Sequence, residues 1–97
     1  MEIELLYFDG CPHWRVADAR LAEVSAGQRF ELRRTEVTSP EQADALGFRG
    51  SPTIVIDGRD PFATGDEPTG LSCRIYQTPE GPAGSPTVAQ LRDAVGL

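Results

Sequence analysis

The chain has 97 residues, 39% of them hydrophobic and 25% charged, which suits one small globular domain. Its formal net charge is −6 and its nine basic residues are all scattered arginines, so it lacks the basic face of a nucleic-acid-binding protein. It also lacks an apolar run near the ~18–20 residues that span a bilayer. We therefore expect neither a nucleic-acid nor a membrane partner. The acidic start "MEIELLYFD" lacks the basic n-region of a signal peptide, so we expect a cytoplasmic protein.

The first half of the chain predicts a strand, a helix and a second strand. The compact apolar run 3–8 indicates a strand that is buried on both faces. Apolar residues then recur at three- and four-residue steps from Trp14, which predicts an amphipathic helix that begins at Pro12 and is ended by Gly27. The stretch "FELRRTEV" (30–37) is strand-like but highly charged, so we expect it at an edge of the sheet.

The middle of the chain predicts a short helix followed by a buried strand. Ser39 is a suitable N-cap, Gln42 completes a capping box, and Gly47 follows the last helical residue. The run "TIVIDG" (53–58) has the apolar, β-branched composition of a buried strand and ends in an Asp-Gly turn.

The next segment combines a loop with an alternating run. Residues 59–70 have no periodicity and indicate a lid, a partner surface or a disordered loop, with Phe62 as the one residue suited to anchor it. The stretch "LSCRIY" (71–76) alternates in polarity, which predicts a strand with Leu71, Cys73 and Ile75 on its apolar face.

The end of the chain predicts a loop and a last helix. The stretch "QTPEGPAG" (77–84) is rich in turn residues, and Ser85 with Pro86 is expected to begin a helix whose apolar residues share one stripe. The order is therefore strand, helix, strand, helix, strand, strand, helix. We predict a single α/β domain over residues 1–97, with the last two strands as antiparallel neighbours.

The two cysteines and the single histidine limit which kinds of site the chain can form. Two cysteines are fewer than a small secreted disulfide scaffold usually carries. Two cysteines and one histidine do not make a closed four-ligand zinc site without carboxylates. We therefore expect no resident metal and no cofactor, and we expect a reactive thiol in a reducing compartment.

Two short motifs, read together with the order of elements, carry a resemblance. The stretch "YFDGCPHW" puts Cys11 just before the first helix, and "GSPTIVIDG" puts Pro52 and then Thr53 at the entrance to the third strand. This arrangement resembles the thioredoxin-like fold over nearly the whole chain. The resemblance implies a four-stranded mixed sheet flanked by three helices, with a cis Pro52 that faces Cys11. It also implies that Cys11 is the nucleophile and that Pro52 and the backbone of Ser51 hold the substrate chain.

The chain departs from this family at two points. Trp14 stands where the resolving cysteine of a Cys-x-x-Cys pair would be. The Cys-Pro pair resembles that of glutaredoxin-like proteins, but Asp9 replaces their basic residue before the cysteine and "QTPEGPAG" (77–84) replaces their Gly-Gly turn. The resemblance therefore implies a monothiol enzyme and does not imply glutathione binding.

The residues around Cys11 allow both chemical and structural interpretations. A helix N-terminus favours the thiolate over the thiol, whereas the carboxylate of Asp9 would oppose it, and Cys11 could instead be a small capping or core residue. His13 could act as a general base or be solvated. Trp14 could shield the thiolate or simply pack in the core. The predicted substrate-binding residues are Ser51, Pro52, Thr53, Pro12 and Trp14.

The second cysteine, Cys73, also has two interpretations. It shares its predicted face with apolar residues, which favours an inert buried cysteine. Alternatively it resolves Cys11, which requires the two Cα atoms to lie within about 7 Å.

Three functions follow from these residues. The first is a thiol–disulfide oxidoreductase of monothiol type, in which Cys11 attacks protein or small-molecule disulfides and an external thiol resolves the intermediate. The second is a thioredoxin-like binding module without catalysis. The third is a soft-metal-binding protein in which Cys11 and Cys73 capture Hg(II) or Cu(I).

Overall fold

Three helices and two sheets make up the mixed α/β fold, which we describe for all 97 residues from a computed structural model. In chain order the elements are β1 (Glu2–Tyr7), α1 (Trp14–Ser25), β2 (Glu31–Glu36), α2 (Pro40–Leu46), β3 (Thr53–Ile56), β4 (Tyr76–Thr78), β5 (Gly81–Ala83) and α3 (Val88–Ala94). None of the three helices combines the length and the apolar character required to cross a membrane.

The larger sheet has three strands in the order β2-β1-β3. Strand β1 runs parallel to β2 and antiparallel to β3, with Leu6 opposite Thr35 on one side and Thr53 on the other. The central position of β1 confirms the prediction of a strand buried on both faces. The charged strand β2 lies at the edge, as its composition predicted, because its exposed side chains face solvent there.

The sheet is covered on both faces by apolar side chains from the helices. Successive residues of a strand point to opposite faces, so Leu5 faces one side and Leu6 the other. The Leu5 side packs against α1 and α3 in a cluster of eight buried residues, namely Ile3, Leu5, Ala17, Leu21, Val24, Ile54, Leu91 and Val95. The Leu6 side packs against α2 in a smaller cluster, namely Leu6, Val37, Ala43 and Phe48.

The helix ends follow local sequence signals, with small shifts. Helix α2 begins after Ser39, whose hydroxyl accepts from the Gln42 N–H, and ends at Gly47 in the left-handed conformation, as predicted. The predicted capping box is incomplete, because the Gln42 side-chain oxygen accepts from the Thr38 N–H instead. Helix α1 begins at Trp14 rather than at Pro12.

The last helix also starts later than predicted. Helix α3 begins at Val88, because Thr87 and Gln90 form a reciprocal capping box there. Ser85 and Pro86 therefore precede the helix, and the Pro86 carbonyl accepts a hydrogen bond from the Arg20 guanidinium of α1.

The predicted fourth strand of the main sheet is wrong. Segment 71–75 contributes only one isolated bridge, a parallel pairing of Cys73 with Ser51, and it does not lie antiparallel to β3. A separate hairpin instead joins β4 and β5, and all of it except Tyr76 lies in the stretch 77–84 that was predicted as a loop. Its turn is stabilised by Thr78, whose hydroxyl donates to the Gly81 carbonyl and accepts from the Glu80 N–H.

Candidate functional site: the disulfide between Cys11 and Cys73

A disulfide bond joins Cys11 and Cys73, whose Cα atoms lie 5.7 Å apart although 62 residues separate them in sequence. Cys11 follows β1 in a tight turn, in which its N–H donates to the Phe8 carbonyl, and it precedes α1 by three positions. The pairing that the sequence left open is therefore the one present in the structure. Both cysteines are bonded, and the chain has no free thiol.

The two halves of the disulfide differ in their access to solvent. Cys11 is 0% exposed, whereas Cys73 is exposed. The prediction that Cys73 and Ile75 face the core is wrong, because Ile75 is 61% exposed and the buried side chains of this segment belong to Arg74 and Tyr76. From Cys73 to Tyr76 the buried and exposed faces are therefore exchanged, whereas Leu71 packs against the smaller apolar cluster and Ser72 is exposed, as predicted.

An ion pair explains why Arg74 turns inward. Its guanidinium donates to both carboxylate oxygens of Asp60, at 2.7 Å and 3.5 Å, and its carbon Cζ lies 4.6 Å from the centre of the Tyr76 ring. The Arg74 side chain is only 3% exposed, so this partner is required to compensate a buried charge. Because Arg74 is buried, the preceding residue Cys73 lies on the opposite, solvent-exposed side of the segment.

Tyr76 links the segment that carries Cys73 to Pro52, the residue just before β3. Its hydroxyl donates to the Pro52 carbonyl, and the edge of the Phe62 ring packs against its ring at a centroid distance of 5.5 Å. Burial raises the pKa of Tyr76 well above its usual range, with Arg74 acting in the opposite direction. Phe62 therefore anchors the 59–70 loop, as its position in the sequence suggested.

Ser51 is the meeting point of the two cysteine-bearing segments. Its N–H donates to the Ser72 carbonyl at 2.7 Å, and its own carbonyl accepts from the Arg74 N–H at 2.9 Å. Its hydroxyl accepts from the Phe8 N–H at 3.0 Å. The Cys11 Sγ atom lies 3.8 Å from the same Ser51 carbonyl oxygen. Ser51 thus holds the segment of Cys73 in place beside Cys11.

The proline after Ser51 has the cis peptide bond that the resemblance implied. Both Ser51 and Pro52 are buried. Thr53 is also buried, and its hydroxyl donates to the Gly50 carbonyl at 2.7 Å. Gly50 has φ +100, and a Cβ added there would lie 3.0 Å from the Arg74 Cβ. Glycine therefore permits the close approach of the two segments.

The remaining predicted site residues follow Cys11 in the chain and make no hydrogen bond to its sulfur. Trp14 stacks on Tyr7 with ring centroids 4.2 Å apart and packs against the larger cluster, which supports its interpretation as a core residue. Pro12 and His13 are exposed. The His13 ring packs on Gly84 so closely that a Cβ there would lie 2.5 Å from its Cγ atom. No hydrogen bond joins His13 to either sulfur.

A cavity of about 180 Å³ is lined by the 59–70 loop and by residues 74–77. Its lining residues combine three apolar and four polar side chains, namely Phe62, Ile75, Tyr76, Thr64, Glu67, Arg74 and Gln77. Hydrogen bonds from the Thr64 N–H and hydroxyl and from the Gly65 N–H lower the pKa of Glu67 to about 2. The Glu67 carboxylate therefore orders the tip of the 59–70 loop.

Sequence reasoning missed three residues that shape the site, namely Asp60, Arg74 and Tyr76. The alternating pattern of 71–76 contained the signal, since a buried polar face was as compatible with it as a buried apolar one.

Comparison of the chain with models of known protein families, with characterised proteins and with solved structures found no match.

Proposed function

We propose that the protein is a thiol–disulfide oxidoreductase of thioredoxin-like type that uses Cys11 and Cys73 as its redox pair. The observation that carries the proposal is the disulfide itself, which bridges one buried and one exposed cysteine beside the Ser51–Pro52 segment. The monothiol mechanism expected from Trp14 is replaced by a two-cysteine mechanism, because Cys11 has an internal partner.

The two-cysteine mechanism follows from exchange chemistry. In the reduced protein, one cysteine thiolate attacks a substrate disulfide and releases one substrate thiol, which leaves a mixed disulfide on the protein. The second cysteine then attacks the protein sulfur of this mixed disulfide, releases the other substrate thiol and restores the internal bond. Two electrons pass from the protein to the substrate. The 5.7 Å separation of the Cα atoms lets the second step occur without a large rearrangement of the backbone.

Turnover of a protein disulfide tests the proposal. We expect the protein to accelerate the reduction of insulin disulfides by dithiothreitol, measured by the precipitation of the free insulin B chain. The Cys11→Ser and Cys73→Ser variants should fall to the rate of dithiothreitol alone, and Ser72→Ala, a change at an exposed neighbour, should keep the wild-type rate. A wild-type rate equal to that of dithiothreitol alone would refute the proposal and favour a binding module with a structural disulfide.

The convergence of two sulfurs also supports a second candidate, the capture of a soft metal ion as cargo. After reduction, two thiolates at this spacing could bind Hg(II) or Cu(I) in two-coordinate fashion. No group of three or more histidine, cysteine or acidic residues is present to add ligands. Competition with dithiothreitol for one equivalent of Hg(II) tests this candidate, and binding that persists without any insulin reduction would favour it over the oxidoreductase.

A further inference from the structure

The unequal burial of the two sulfur-bearing residues indicates how exchange begins. A thiolate must approach a disulfide sulfur closely, so access decides which sulfur is attacked. Cys11 is 0% exposed, and it is enclosed by the turn from Phe8 and by the buried Ser51. Cys73 is exposed, and its segment contacts Ser51 through backbone hydrogen bonds on either side of the cysteine.

We infer that substrate is exchanged at Cys73 and that Cys11 is the buried sulfur that leaves and later resolves the mixed disulfide. This assignment rests on the proposed function and reverses the roles that the resemblance implied, in which Cys11 is the nucleophile.

In the oxidised protein, an external thiolate attacks the Cys73 sulfur, and the bond between the two protein sulfurs breaks. The electron pair of that bond goes to the Cys11 sulfur, which takes a proton from solvent. The products are a mixed disulfide on Cys73 and a free thiol at Cys11. A second external thiolate then attacks the external sulfur of this mixed disulfide, which forms the external disulfide and releases Cys73 as a thiolate. Both protein cysteines are then reduced, and two external thiols are oxidised for each protein disulfide.

The structure provides an acceptor for the thiol formed at Cys11. The Ser51 carbonyl oxygen lies 3.8 Å from the Cys11 Sγ atom, a distance suited to a weak S–H···O hydrogen bond once the sulfur is protonated. This contact keeps the Cys11 thiol close to Cys73, where it can later resolve a mixed disulfide. In the reverse direction, the Cys73 thiolate attacks a substrate disulfide, and Cys11 loses its proton and attacks Cys73 to close the internal bond.

Single-thiol variants test the assignment. Cys11→Ser leaves only the Cys73 thiol, and Cys73→Ser leaves only the Cys11 thiol. We expect Cys73 to react with 5,5′-dithiobis(2-nitrobenzoate) about 100-fold faster than Cys11 in the folded variants, because a fully buried group reacts only after local opening. The two rates should become similar in urea. A Cys11 thiol that reacts as fast as Cys73 in the folded state, or faster, would overturn the assignment.

The wild-type protein provides a second test that does not depend on the folding of variants. The oxidised protein is mixed with excess 2-mercaptoethanol and quenched within seconds by acid and N-ethylmaleimide, before tryptic peptide mapping. The two cysteines fall on separate tryptic peptides, 1–15 and 60–74. The mixed disulfide should be found on 60–74 and the maleimide on 1–15, whereas the opposite pattern would overturn the assignment. Because the position of the adduct is read independently of turnover, this result is distinct from failure of the insulin assay.

Discussion

The hydroxyl of Tyr76 donates a hydrogen bond to the carbonyl oxygen of Pro52, which ties the segment that carries Cys73 to the segment beside Cys11. Both residues are buried, and segment 71–75 has no strand ladder to hold it in the main sheet. Besides the backbone bonds to Ser51 and the disulfide, this hydrogen bond and the Arg74–Asp60 pair hold the segment in position.

Replacement of Tyr76 by phenylalanine should destabilise the protein by about 1–2 kcal/mol at neutral pH, because the buried Pro52 carbonyl loses its donor. The raised pKa of Tyr76 also predicts a pH effect. The unfolded chain releases the Tyr76 proton near pH 10, whereas the folded chain retains it, so this contribution to stability is complete below about pH 10 and is lost as the pH rises further.

Urea unfolding between pH 8 and pH 11 measures both effects of the Tyr76→Phe change. Above pH 10, the wild-type free energy of unfolding should fall more steeply than that of the variant, by about 1.4 kcal/mol per pH unit. Equal slopes would show that Tyr76 does not contribute.

Replacement of Asp60 by asparagine should destabilise the protein by about 3 kcal/mol, because it leaves the buried Arg74 charge without its partner. The matched control is Asp18→Asn, which breaks the exposed pair of Asp18 with Arg34 and should change stability by less than about 1 kcal/mol. Urea unfolding at pH 7 measures both variants. Equal effects of the two substitutions would contradict the role assigned to Arg74.

Reduction of the disulfide should lower the free energy of unfolding by about 2–4 kcal/mol, because the bond closes a long loop in the unfolded chain. Urea titrations of the same protein with and without a phosphine reductant give the difference. The Cys11→Ser/Cys73→Ser double variant is the control and should be close to the reduced protein. An unchanged midpoint on reduction would mean that the bond does not constrain the fold.

Replacement of Ile75 by serine tests the surface next to Cys73. Ile75 follows Cys73 by two residues and, like Cys73, is exposed to solvent. Because Ile75 is 61% exposed, the substitution should change the free energy of unfolding by no more than about 0.5 kcal/mol. The mixed disulfides are formed at Cys73 in the Cys11→Ser variant, with and without the Ile75→Ser change. The Ile75→Ser change should weaken the mixed disulfide with benzyl mercaptan more than the one with 2-mercaptoethanol, because only benzyl mercaptan has an apolar group to contact Ile75. Mass spectrometry at exchange equilibrium measures the ratio, and equal losses would contradict the contact.

The parts of the fold that the sequence predicted are those set by local physics. The apolar stripe of α1 packs as expected, with Ala17, Leu21 and Val24 buried, and Ser39 caps α2. These features depend on periodicity and on contacts within a few residues, which a single sequence contains.

The features that the sequence did not predict depend on distant partners. The inward turn of Arg74 requires Asp60, fourteen residues earlier, and alternation alone does not say which face is buried. The disulfide requires two Cα atoms to meet across 62 residues, which no local pattern reports. The proximity of Cys11 to the Ser51–Pro52 segment followed from the resemblance and not from the spacing of the residues.

The proposed function requires that the bond between Cys11 and Cys73 is an exchangeable redox couple. Equilibration of the protein in glutathione buffers of graded potential, followed by acid quenching, alkylation and intact-mass measurement, tests it most directly. We expect a half-reduction potential between about −270 and −120 mV, the range of thiol–disulfide oxidoreductases. A potential below about −300 mV, the range of structural disulfides, would contradict it.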